Sequence, residues 1–189
     1  MLGPGPYLQL FAAAAADCGL PPLLQIAQCR QESGFDPGSV SSTGARGLMQ
    51  IEPATAGPAY TKAQLLDPAT SIALGARILR DCYDVFQRES GEERWKFALA
   101  AYNGGAGYVI EAQRLCAAAQ GDPSQWGQVA PYLSGATVNG KRPDAAQIGG
   151  YVARVWQYYL EYQASPPAAP APVAPAAPAN PLGGNGEDA

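Results

Sequence analysis

With 189 residues, 47% of them apolar, the chain is long enough for one domain with a hydrophobic core. A net charge of −4 leaves no basic stripe to neutralise phosphates, which argues against a nucleic-acid partner. No histidine is present, which excludes Ser-His-Asp and Cys-His catalysis and argues against most zinc sites.

Residues 8–16 are apolar enough to resemble the core of a signal peptide, but no Lys or Arg precedes Arg30, so the segment reads as the first helix of the domain. That helix covers 7–17 and ends at Gly19. Pro21 and Pro22 sit where a helix start tolerates them. Leu20, Leu23, Leu24 and Ala27 then form a core-facing stripe that leads to Glu32, at its edge. Gly34 and Pro37 stop this helix, and 35–42 is a loop rich in Gly, Pro and Ser. Residues 45–52 are expected to form a short helix that Pro53 ends, with Gly47 allowing a close backbone approach.

Asp67-Pro68 marks the next helix start. After it, Ile72, Gly75, Ala76, Leu79, Cys82, Tyr83 and Phe86 keep helical spacing for about four turns. Ser90 to Glu93 has the form of a capping box that opens a helix with Trp95, Leu99 and Tyr102 on its apolar face. Asn103, Gly104 and Gly105 end it, and another helix covers 106–119. Residues 121–142 are turn-rich and suggest no regular element. Asp144 is placed to cap the last helix, whose stripe is Ile148, Tyr151, Val152, Val155, Tyr159 and Tyr162. Strand signals are nearly absent, so the fold class is mainly α. The four cysteines, Cys18, Cys29, Cys82 and Cys116, lack C-x-x-C spacing and read as buried free thiols, with neither a metal nor a redox motif. No stretch approaches the roughly 20 apolar residues of a membrane span.

Chemistry concentrates in 31–51. Glu32 falls in the last turn of its helix, where the negative end of the backbone dipole and partial burial both favour the protonated carboxyl. A carboxyl held protonated near neutral pH is what a general acid needs. Glu32-Ser33-Gly34-Phe35, then Ser41, then the run from Gly44 to Ile51, and further on Ala101-Tyr102-Asn103-Gly104-Gly105, resemble the three ordered signatures of the soluble lytic transglycosylase family over about residues 7–162. The resemblance implies a single helical domain of goose-type lysozyme-like fold over 1–163, a substrate cleft, and peptidoglycan glycan strands as substrate. It implies no cofactor. Glu32 would act alone as acid and then base on the β-1,4 bond between N-acetylmuramic acid and N-acetylglucosamine, closing a 1,6-anhydro ring. Ser41, Met49, Gln50, Tyr102, Asn103 and Tyr151 would bind the sugar, with Met49 as an apolar cleft wall and Tyr151 also placed to hydrogen-bond the acid. Gly105 and Ala106 stand where relatives commonly carry Ala and Pro, a change in the turn.

A conventional hydrolase would need a second carboxylate about 5–9.5 Å away, and in sequence only Asp36 and Glu52 are near. A lysozyme-type muramidase and a weakly active structural component of a virion are therefore the alternative readings. From Ser165 the composition changes: seven of the 18 prolines lie between Pro166 and Pro181, interleaved with Ala. Residues 164–189 accordingly read as a disordered, polyproline-like tail suited to tethering in a virion or secretion assembly. The expected place of action is the cell wall. With no convincing export signal, delivery by a phage virion, delivery by a secretion machine, and a chain shorn of its signal are the three routes, the phage favoured.

Overall fold

A computed structural model describes residues 3–168, and the description below refers to these. They contain helices and turns and no strand; three isolated bridges, Val40 to Arg46, Arg46 to Ile51 and Val138 to Lys141, are the extended pairings. The tail reading falls mostly on 169–189, outside the described residues.

The helix boundaries follow local chemistry. Helix α1, Leu8–Cys18, stops at Gly19, which takes the left-handed conformation (φ 64°) that glycine adopts without penalty. Helix α2, Pro22–Ser33, has proline in its first turn and a left-handed Gly34 after its last residue. Helix α4, Pro68–Val85, is capped by Asp67, whose carboxylate accepts from the Thr70 N–H at 2.8 Å. Asp144 does the same for α8, Ala145–Ala164, through the Gln147 N–H at 2.9 Å.

Helix α5, Gly91–Gly104, occupies the middle. Phe97, Ala98, Leu99, Ala100 and Ala101 are five consecutive buried residues, so the helix is enclosed on all sides rather than along one stripe. It packs against α4, against α6 (Ala106–Ala118), against the short α7 (Trp126–Val129) and against α8. Helix α2 lies along α8, and α1 bridges α2 and α4. Trp95 and Tyr102, expected on the buried face of α5, are half-buried at its margins.

Three expectations are corrected. Residues 45–52 are not helical. Gly47 (φ 72°) and Gln50 (φ 46°) are left-handed, and Arg46 and Ile51 exchange both backbone hydrogen bonds across a tight turn. Pro53 begins a helix, α3 (Pro53–Ala56), instead of ending one. Glu52 before it is extended, the conformation that a following proline imposes. The capping box does not form. Ser90 makes no side-chain cap bond, and Glu93 instead accepts from Lys96 Nζ at 2.7 Å and from the Trp126 N–H at 2.6 Å, fastening α7 to α5. The segment 121–142 does contain regular structure, in α7 and the 3-10 turns of Ala130–Gly135. All four cysteines are free thiols; Cys29 and Cys116 are buried, whereas Cys18 and Cys82 are half-buried.

Candidate active site

Glu32 lies in the last turn of α2, at the wall of a cleft of about 530 Å³. The residue as a whole is half-buried, and withdrawal of its carboxyl group from water raises the pKa from 4.5 to about 7. The one opposing influence is the Tyr151 hydroxyl, which donates to Glu32 Oε1 at 2.6 Å and favours the ionised form. Tyr151 comes from the buried face of α8, is 3% exposed, and has its own pKa pushed well up, first by burial and then by the Glu32 charge. It therefore remains a proton donor.

The turn after α2 is tied back onto that helix. The Leu48 carbonyl accepts from Ser33 Oγ at 2.9 Å and from Cys29 Sγ at 3.3 Å. On the far side, Ser71 Oγ accepts from the Met49 N–H at 3.1 Å, and Tyr102 Oη donates to the Met49 carbonyl at 2.9 Å. Four bonds from α2, α4 and α5 thus fix residues 48–49, and Gln50 follows at the cleft. Gly47 completes the clamp: a Cβ there would fall 2.0 Å from the Leu65 carbonyl oxygen, so backbone meets backbone at that point.

The structure brings together on the cleft most of the residues singled out in the sequence. Glu32, Ser41, Gln50, Tyr102 and Asn103 all line it. Gln50 commits Nε2 to the carbonyls of Gly47 (2.9 Å) and Ser39 (3.2 Å). Ser41 Oγ accepts from the Ala45 N–H at 3.0 Å and meets Thr43 Oγ1 at 2.9 Å, so it shapes the turn as well as the wall. Asn103 Oδ1 is buried with no hydrogen-bond partner among the described residues.

Two placements differ from expectation. Met49 is not a cleft wall: its side chain is fully buried and packs on Gly75 of α4, where an added Cβ would lie 2.7 Å from Met49 Cγ. Tyr151 reaches Glu32 as expected but is not among the residues lining the cleft, so it meets the acid and not the sugar wall. Of the two further carboxylates, Glu52 lines the cleft and is exposed, whereas Asp36 is turned to its own loop, accepting from the Gly38 N–H at 2.9 Å.

Other lining groups were not anticipated. Gln147 precedes Tyr151 by one helical turn, a spacing that signals a shared face. Ile78 and Cys82 stand in the same relation on α4, but a helical apolar stripe does not say which of its members borders a groove. Burial pushes the Cys82 thiol up to about 11, so it is a neutral wall group. Among the described residues there is no group of three potential metal ligands, and no helix is long and apolar enough to cross a membrane.

A sequence model of the transglycosylase SLT domain matches residues 9–124, more than half of the chain. The chain belongs to the SLT transglycosylase family. The matched segment of this SLT domain holds Glu32, Ser41, Gln50, Tyr102 and Asn103, while Tyr151 lies beyond it. Among curated relatives, it is 41% identical over 128 residues to membrane-bound lytic murein transglycosylase F of Maricaulis maris, covering 67% of this chain and 28% of that protein. Among solved structures, lytic transglycosylase Slt of Pseudomonas aeruginosa, an inactive mutant with Gln in place of a Glu, superposes with a TM-score of 0.65 at 25% identity, covering 84% of this chain and 24% of that one. The 70 kDa soluble lytic transglycosylase of Escherichia coli gives 0.64 at 29% identity with the same coverage. The chain thus spans about a quarter of the length of these proteins.

Proposed function

We propose that this SLT domain, over residues 1–163, cleaves the β-1,4 bond between N-acetylmuramic acid and N-acetylglucosamine in peptidoglycan without water, with Glu32 as sole acid and base. The supporting observation is a carboxyl with a pKa near 7, opening on the cleft and braced by one tyrosine. Protonated Glu32 gives its proton to the bridging oxygen as the bond from that oxygen to the muramic acid C1 breaks. The substrate's acetamido group carries the positive charge at C1. The Glu32 carboxylate then takes the proton from the C6 hydroxyl as its oxygen bonds to C1, which closes the 1,6-anhydro ring and restores the acid. Asn103 Oδ1, an unfilled acceptor, suits a sugar N–H or O–H, and the Gln50, Ser41 and Tyr102 surfaces complete the wall.

Glu52 favours a second reading, a muramidase, because it is a further carboxylate on the same cleft that could hold a water. Digestion of purified sacculi with wild type and Glu32→Gln, followed by mass spectrometry, separates the readings. Anhydro ends, lighter by one water, are expected from wild type and none from the variant. Reducing ends would support the muramidase, and equal clearing by both proteins would leave a structural role. The relatives, lytic murein transglycosylases by name, support action at the cell wall. The same reading extends to tethering in a virion or secretion assembly through the Pro- and Ala-rich segment 164–189.

A further inference from the structure

Gln28 precedes Glu32 by one helical turn and shares its face of α2. It is completely buried, and neither Nε2 nor Oε1 closes a hydrogen bond with any described residue. A wholly enclosed amide without a partner opposes folding, and an apolar side chain of the same size would fit without that cost. Gln25, the other buried glutamine of this helix, has a structural duty: its Nε2 donates to the Ile72 carbonyl at 2.8 Å. Gln28 has none, and it sits one turn before Glu32 on the face of α2 that meets Tyr151, a residue of α8, the helix along which α2 lies.

We propose that Gln28 is a positioning residue for the acid: its Nε2–H is directed at the Tyr151 oxygen, turning and strengthening the Tyr151 O–H that donates to Glu32. The Tyr151 proton is already committed to Glu32 at 2.6 Å, so its oxygen offers lone pairs and is complemented by a donor. An amide oxygen there would compete with Glu32 for the proton. Donors in series polarise one another, so the relay Gln28 to Tyr151 to Glu32 stabilises the carboxylate more than Tyr151 alone. It holds the Glu32 pKa near neutrality against burial that would carry it higher, which suits a group that must be acid and then base. The titratable groups facing this relay are Cys29 on α2, Tyr102 on α5 and Cys82 on α4, and burial raises the pKa of all three.

The inference rests on Glu32 as the acid and base, and its test is independent of turnover. Titration by 13C-carboxyl NMR, with the Glu32 signal assigned through Glu32→Gln, reads the proton directly. Gln28→Leu and the unbranched Gln28→Met are expected to raise the Glu32 pKa by roughly half a unit. In a Tyr151→Phe background, where the relay is already cut, Gln28→Leu should add nothing. Gln25→Leu should lower the thermal midpoint and leave the Glu32 pKa in place. An unchanged or lowered pKa in the Gln28 variants, or the same rise with Tyr151 removed, overturns the relay. Failure of Glu32→Gln to abolish murein cleavage would count against the proposed function and leave the titration result standing.

Discussion

At the scale of single residues, the burial that prepares Glu32 as an acid also sets a pH-dependent cost to folding. Its folded pKa, about 7, lies above the ordinary 4.5. Below pH 4.5 both folded and unfolded chains carry the proton, and the group is neutral to stability. As pH rises from 4.5 to 7 the unfolded chain releases its proton first, so it binds fewer protons than the folded one and stability falls with pH. Above pH 7 the loss is complete, at roughly 3 kcal/mol as an upper figure. Glu32→Gln removes the titration. Thermal unfolding of the two proteins should coincide near pH 4 and diverge by pH 8, with the variant several degrees more stable. A wild type that is as stable as the variant at pH 8 would show that the carboxylate is well solvated. The acid itself was legible in the sequence, because its helix end and three flanking motifs converge on one position. Gln28 was not, because a polar residue at an apolar helix position gives no sign of what it faces across the core.

At the scale of elements, the helices were read well and the turn that forms the cleft floor was not. Helix ends are set by Gly19, Gly34, Asp67-Pro68 and Asp144, all local signals. Residues 45–52 have ordinary helix formers, yet long-range contacts with Leu65, Ser71 and Tyr102 decide their conformation. Ser90 to Glu93 fails as a capping box for the same reason, since α7 recruits Glu93. Two glycines of the turn separate local from tertiary effects. Gly44 (φ 94°) has open space where a Cβ would go, so Gly44→Ala should cost only about 1 kcal/mol of backbone strain. Gly47→Ala adds a collision with the Leu65 carbonyl, a backbone atom that cannot rotate away, and should cost roughly 3 kcal/mol or more. It should also depress murein cleavage by displacing Gln50. Urea unfolding checks both, and equal losses for the two variants would contradict the close approach.

At the scale of the molecule, the cleft residues come from α2, the clamped turn, α4, α5 and α8, while cohesion comes from the sheath of helices around α5. A stripe of Trp95, Leu99 and Tyr102 implies one buried side, whereas the alanines between Phe97 and Ala101 let neighbours close in on every side. Small residues carry little periodic signal, so enclosure of this kind is hidden from pattern analysis. Leu99 is fully buried within it. Leu99→Ala opens a cavity that rigid helices fill only in part, at a cost of about 2–5 kcal/mol. The thermal midpoint should fall by roughly 5–15 °C, with far-ultraviolet circular dichroism and tryptophan fluorescence reporting one transition. Glu32 and Tyr151 sit on α2 and α8, so the fraction that remains folded at 25 °C should retain the wild-type rate per molecule. This is the inverse of Glu32→Gln, which gains stability at pH 8 and loses cleavage. Were Leu99→Ala to lose cleavage while keeping its midpoint, the core of this helix would belong to the site rather than to the scaffold.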